Sequence, residues 1–242
     1  MSGDSKTRPE TERHSPTSRT EAFTLAASLE GPLQQRLDFY SQALQSLSPE
    51  ISEAYDELAL RLSPLKAAGP KAGKTLPDFL LPDADGNLIS LASLLEDGPL
   101  VLSLNRGHWC PWCRLELRAM RDIYRQVRAE GAQFISIIPE TASYSVKLTA
   151  DNQLPFKVLT DLDLGYSLSL GLMIWVGPKI KSLYSSTGLD LALFQRNEAW
   201  MLPIPATFVL SRDGIVIARF VDPDFRKRME PQDILAALKQ AR

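Results

Sequence analysis

The two cysteines of this 242-residue chain stand three apart, in the run Leu104-Asn105-Arg106-Gly107-His108-Trp109-Cys110-Pro111-Trp112-Cys113. An apolar strand pattern precedes the run and a long amphipathic helix pattern follows it, so both sulfurs fall where a helix begins. The first N–H groups of a helix lack intrahelical partners and carry partial positive charge, which favours a thiolate. A thiol of ordinary pKa about 8.5 can drop to roughly 3.5–7.5 in such a place. Pro111 suits the first turn, since it has no N–H to leave unpaired and its φ is already helical. Cys110, nearest the helix start, is the expected nucleophile. Cys113, one turn further in, is the expected resolving thiol that closes a disulfide with it.

Six other residues could assist. Arg106 is the best placed to stabilise an anionic sulfur or a polar oxidant, against the plain alternative of a solvated arginine. His108, when protonated, could stabilise the thiolate or act as a general acid, or it is simply a surface residue at a strand end. Trp109 and Trp112 either shield the sulfurs and offer an apolar face to a partner, or pack in the core. Asp161 and Asp222 each end a strand pattern, where a carboxylate could assist proton transfer but more simply caps a turn. A zinc site needs four ligands, and the chain offers Cys110, Cys113 and His108, with its other histidine, His14, far away in the N-terminal tail. Neither metal nor cofactor is expected.

Composition narrows the partners. With 27 basic and 29 acidic residues the net charge is −2, which gives no footprint for nucleic acid or a membrane surface. No apolar run approaches the roughly 18–20 residues of a membrane span or forms a secretory signal. A cytoplasmic protein is expected, and two cysteines there make a better redox pair than a structural staple. An apolar fraction of 44% over this length supports one main domain with extensions.

The elements around the dithiol read as follows. Residues 1–20 are rich in Ser, Thr, Pro, Arg and Glu and predict a disordered tail. Over 21–68, Leu33, Leu37, Tyr40, Leu44 and Leu47, then Ile51, Tyr55, Leu58 and Leu62 after Ser48-Pro49, predict a helical hairpin. Such an extension packs on the main domain or on a second copy of the chain in a homodimer. A Gly/Pro linker leads to the main domain at 74–242. There, Leu76–Asn87 reads as a short strand followed by an Asp85-Gly86 turn. Strand Leu100–Leu104, helix Cys110–Glu130 and strand Phe134–Ile138 form a parallel crossover. A helix over Thr141–Asp151 and a strand over Phe156–Leu159 follow. Gly165–Met201 shows no clean period and reads as helix and loop inserted near the site. Ala206–Leu210 and Ile215–Val221 flank a hairpin turn, and Pro231–Lys239 is a closing helix.

The order strand, Trp-Cys-Pro-Trp-Cys, long helix, strand, and later Pro203-Ile204-Pro205-Ala206-Thr207-Phe208 before a hairpin resembles the thioredoxin fold. The resemblance implies an α/β architecture with a central mixed sheet flanked by helices, and a cis proline at Pro205 lying against the dithiol. Leu76-Pro77-Asp78-Phe79, the Asp85-Gly86-Asn87 turn and Leu91–Leu95 are similar to the entry of peroxiredoxins. More narrowly, Leu76–Leu238 resembles the peroxiredoxin-like proteins of the alkyl hydroperoxide reductase and thiol-specific antioxidant (AhpC/TSA) family. Two features depart from it. The family's Pro-x-x-x-Thr/Ser-x-x-Cys motif meets Ser103 and Gly107 here, and its supporting arginine before the late Thr-Phe strand is absent.

The resemblance implies an antioxidant oxidoreductase active in cell redox homeostasis. In one form it is a thiol peroxidase: Cys110 attacks a small hydroperoxide, becomes a sulfenic acid and condenses with Cys113, and an external thiol of thioredoxin or glutathione type restores the dithiol. In another it is a protein disulfide reductase using the same two sulfurs, with a couple more oxidising than thioredoxin's. A non-enzymatic alternative is a redox-sensing interaction module.

Overall fold

Residues 15–240 are described by the computed structural model. Its first helix, α1, covers Arg19–Ser28 and is N-capped by Ser18, whose Oγ accepts from the Glu21 N–H at 3.1 Å. Arg19 and Thr20, expected in the tail, are therefore its first turn, while residues 1–14 of that expectation lie outside the described residues. The helix escaped the pattern because two of the three residues it buries are alanines, Ala22 and Ala26, beside Phe23. Alanine gives little apolar contrast.

The expected hairpin follows as α2 (Leu33–Leu47) and α3 (Pro49–Leu62). It packs on its own chain. Its buried residues join one continuous core with those of the sheet, and Trp112 Nε1 donates to Ser41 Oγ at 3.0 Å. Pro32 offers no side-chain cap to α2, and the Glu230 carboxylate supplies one from the far end of the chain, accepting from the Leu33 and Gln34 N–H groups at 2.9 and 2.8 Å.

Where one short strand was expected, a ribbon forms. β1 (Leu80–Pro82) and β2 (Leu88–Ser90) pair antiparallel about the Asp83–Asn87 turn, and α4 (Leu91–Glu96) starts from a Ser90/Ser93 capping box. The central sheet has β3 (Leu100–Leu104) in the middle. It runs parallel to β4 (Gln133–Ile138), which is parallel to β5 (Lys157–Thr160). On its other side β3 is antiparallel to β8 (Ala206–Leu210), which pairs with β9 (Val216–Val221). This is the mixed sheet expected. Every β3 residue is buried, as a central strand covered on both faces must be. Helix α5 (Pro111–Ala129) carries the dithiol, and α6 (Ala142–Asn152) precedes β5.

Between β5 and β8 the chain forms α7 (Gly165–Ser169), β6 (Met173–Trp175), α8 (Pro178–Ser186), α9 (Leu191–Gln195) and β7 (Met201–Pro203). β6 and β7 pair antiparallel around α8 and α9. Three-residue strands are too short to show alternation, which is why this ribbon was not legible. Helix α10 (Pro231–Lys239) closes the fold. No described helix is long and apolar enough to cross a membrane.

Candidate active site

Cys110 occupies the N-cap of α5, where a serine or aspartate oxygen usually meets the open N–H groups, with Pro111 next in the first turn. Both cysteines are reduced and fully buried. Burial alone would push the Cys110 thiol up. The hydrogen-bonded Cys113 thiol, the Arg106 and Arg228 guanidinium groups and the Cys113 backbone N–H outweigh it and bring Cys110 down to about 6. Cys113 moves the other way, raised by burial and by the neighbouring Cys110 sulfur. The two shifts are opposed, which makes Cys110 the sulfur that ionises more readily.

Cys113 is held from two sides. The Arg106 backbone N–H reaches its sulfur at 3.4 Å and Arg228 Nη2 at 3.3 Å. Arg228 Nε in turn donates to Glu116 Oε2 at 2.7 Å, and Glu116 Oε1 accepts from Ser103 Oγ at 2.9 Å and Thr207 Oγ1 at 3.2 Å. Asn105 Nδ2 extends the network to Ser103 Oγ and Ser136 Oγ. Glu116 stands one turn beyond Cys113 on α5, so β3, β4, β8 and the segment before α10 all meet beneath the dithiol. A buried charge pair persists only when its remaining polar groups are bonded, and here they are.

Arg106 is buried, not solvated. Its guanidinium lies 3.8 Å from the Phe225 ring centroid and 4.9 Å from that of Trp109, and Nη2 donates to the Tyr184 hydroxyl, brought by α8. Its Nη1 and the Trp109 indole N–H are buried with no hydrogen-bond partner among the described residues.

His108 is directed to Glu140 instead of a sulfur. Its backbone N–H and Nδ1 meet the two Glu140 carboxylate oxygens at 2.7 and 2.9 Å, and its ring stacks on Tyr144 at 4.5 Å. This pair fixes the loop that delivers Cys110. Trp112 is a core anchor, edge-to-face with Tyr40, Tyr55 and Phe225. Asp161 caps α7, accepting from the Tyr166 and Ser167 N–H groups, and Asp222 accepts from the Asp224 N–H in a turn. Both are structural carboxylates.

Pro205 is buried at the mouth of β8, beside Arg106 and Phe225 across a narrow gap. The expected cis bond is not there: no described peptide is cis. Trans is intrinsically favoured at X–Pro by about 0.5–1 kcal/mol. The preceding Ile204 N–H is tied to Leu172 O at 2.6 Å, so the chain enters β8 in continuity with the β6–β7 ribbon.

The model of the AhpC/TSA family matches residues 72–219, more than half of the chain, and includes both cysteines, Arg106, Glu116 and Tyr184 but not Phe225 or Arg228. The chain belongs to the AhpC/TSA family. It is a thiol oxidoreductase of that type. Among curated relatives, the thiol-disulfide oxidoreductase ResA of Bacillus thuringiensis subsp. konkukian is 23% identical over 159 residues, 65% of this chain and 74% of ResA. Peroxidoxin BcpB from Mycobacterium tuberculosis shares the fold with a TM-score of 0.56 and 23% identity, over 71% of this chain and 98% of BcpB. Xanthomonas campestris peroxiredoxin Q does so with a TM-score of 0.52 and 17% identity, over 71% of this chain and 99% of the other.

Both departures of this AhpC/TSA chain from the family motif have physical reasons. A side chain at Gly107 would place its Cβ 2.6 Å from the Glu140 carboxylate and 2.8 Å from Trp109 Nε1, at a φ of +139°. A threonine does not fit there. Ser103, at the other motif position, is committed to Glu116. No arginine stands just before β8, and the guanidinium that reaches the dithiol is that of Arg228, which follows β9 and which the sequence reading did not find. Glu116, Glu140 and Tyr184 were missed as well.

Proposed function

We propose that this protein reduces hydroperoxides, with Cys110 as the attacking thiolate and Cys113 as the resolving thiol. The observation that carries this reading is a low-pKa sulfur with no exposed surface, beside an arginine whose Nη1 lacks a partner. A small oxidant can diffuse to such a sulfur, whereas a disulfide on a folded protein cannot reach it without a rearrangement of the site. Cys110 attacks one peroxide oxygen, the O–O bond breaks, and the departing alkoxide takes a proton to leave as an alcohol. The Cys113 thiol then displaces water from the sulfenic acid, forming the disulfide, and two electrons from external thiols restore the pair. Arg106 Nη1 is the donor available to the peroxide oxygen, in place of the family's threonine hydroxyl.

Stopped-flow oxidation of the reduced protein by hydrogen peroxide tests this. Because the thiolate is the reactive form, the rate should rise with pH through a midpoint near 6 and level off above it. A midpoint at the ordinary thiol value, or a rate no faster than free cysteine, sinks the peroxidase reading. Insulin reduction by the same preparation would then leave the disulfide-reductase reading in its place.

Arg106→Met keeps the stacking volume against Phe225 while removing charge and donor. It should slow the peroxide reaction by at least about tenfold and move its midpoint upward. An unchanged rate and midpoint would remove Arg106 from the chemistry.

A further inference from the structure

Beside the dithiol, between α1 and α5, lies a recess of about 440 Å³. Trp109 and Pro111, the two chain neighbours of Cys110, line it, and Arg19, Arg114 and Arg118 border it. Phe23 supports the arginines: the Arg114 guanidinium lies 4.2 Å from its ring centroid and that of Arg118 5.0 Å. None of the three makes an ion pair among the described residues. Asp151 and Asp122, the carboxylates whose charge reaches Arg118, are already paired with Lys147 and Arg121 at 2.9 and 2.8 Å. The Arg118 Nε donates to a neutral acceptor, Asn152 Oδ1. Burial lowers the Arg114 and Arg118 guanidinium groups from their usual range, and for Arg118 the neighbouring Arg114 and Arg121 add to it, against the opposing charge of Asp151 on both and of Asp122 on Arg118.

We infer that this recess receives the electron donor, and that the donor is a small thiol carrying two free carboxylates, of the glutathione class. Arg114 and Arg118 stand one turn apart on a single face of α5, and Arg19 faces them from α1, which suits two carboxylates gripped at separate points. The thiol end then lies against Trp109 and Pro111, the chain neighbours of Cys110, and these must shift for it to reach the fully buried sulfur. A long acyl chain would find guanidinium groups and the Thr20 and Thr24 hydroxyls instead of an apolar channel. A protein thiol is disfavoured because α1 and α2 pack along α5 and leave only the recess between α1 and α5 as an approach among the described residues.

The inference rests on Cys110 being the redox nucleophile. In its terms, a donor thiolate attacks the Cys110 sulfur of the disulfide, the Cys110–Cys113 bond breaks, and Cys113 leaves and takes a proton. A second donor thiolate attacks the donor sulfur of the mixed disulfide, releasing the Cys110 thiolate and the donor disulfide. Two thiols are oxidised and one protein disulfide is reduced.

S-methylglutathione cannot react, so its binding to the reduced protein, followed by calorimetry, isolates recognition from chemistry. Saturable binding is expected, at least about tenfold weaker for the S-methyl diethyl ester and for Arg118→Ala, with partial recovery in Arg118→Lys. Equal affinity for ester and free acid, or an unchanged affinity in Arg118→Ala, overturns the inference. So does an absence of binding combined with efficient reduction by a thioredoxin-type protein, which would assign the arginines to an acidic partner surface. Hydrogen peroxide oxidation measured without any thiol reports separately on Cys110, so failure there is distinguishable from failure of the recess.

Discussion

Cys110→Ser should lose at least about a thousandfold in its reaction with hydrogen peroxide, because a serine hydroxyl at the same N-cap is not ionised at any pH the fold tolerates. Cys113→Ser should behave differently. A hydroxyl at position 113 still faces the Cys110 sulfur, so the first oxidation survives within about tenfold. What disappears is the resolving step, and a sulfenic acid accumulates at Cys110 that dimedone labels and mass spectrometry locates. The two variants separate the roles that the opposed pKa shifts assign to the sulfurs, down for Cys110 and up for Cys113. Comparable peroxide rates in the two variants would show that the roles are shared or reversed. Accumulation of mixed disulfides alone in Cys113→Ser would point to thiol exchange instead of peroxide reduction.

The placement of both cysteines at the start of α5 was legible because it depends on local features: a strand that ends, a proline in a first turn, and two thiols one turn apart. The same holds for β3, whose unbroken apolar run matches a strand buried on both faces, and for α10, whose start at Pro231 is a sequence signal. What could not be read depends on partners remote in sequence. Glu116 on a long charged helix looks like a solvent-facing residue, and its one signal is its place among Cys113, Leu117 and Met120 on the stripe that faces the sheet. Arg228 sits in Arg226-Lys227-Arg228, a run that reads as surface charge. Arg226 does pair with Asp224 and Asp56 near the surface, while Arg228 turns inward to a carboxylate 112 positions away. Tyr184 was hidden because α8 belongs to the segment without a clean period. The site is therefore a local dithiol, plain in the sequence, set in a charge network that only the fold assembles.

That network leads to the second large effect. Glu116 and Arg228 are 1% and 4% exposed, and their contact at 2.7 Å is the charge pair directly under Cys113. Glu116→Ala leaves a buried guanidinium without its anion and strips the Ser103 and Thr207 hydroxyls of their acceptor. Removing one partner of such a pair costs about 3–5 kcal/mol, a large share of a domain's stability. Arg228→Met leaves the carboxylate unpaired and should cost about the same. Combining Glu116→Met with Arg228→Met replaces both charges by apolar volume, so much of the loss should return, and denaturant unfolding of the reduced proteins would show it as a large coupling energy. Yet the stabilised double variant lacks one of the two cations that hold Cys110 down, so the midpoint of its peroxide reaction should lie above that of the wild type. Stability would return while the thiolate fraction at a given pH falls. Single variants that unfold like the wild type would overturn the structural part of this expectation. A double variant with an unmoved midpoint would overturn the electrostatic part, leaving Arg106 and the helix start as sufficient to hold the sulfur ionised.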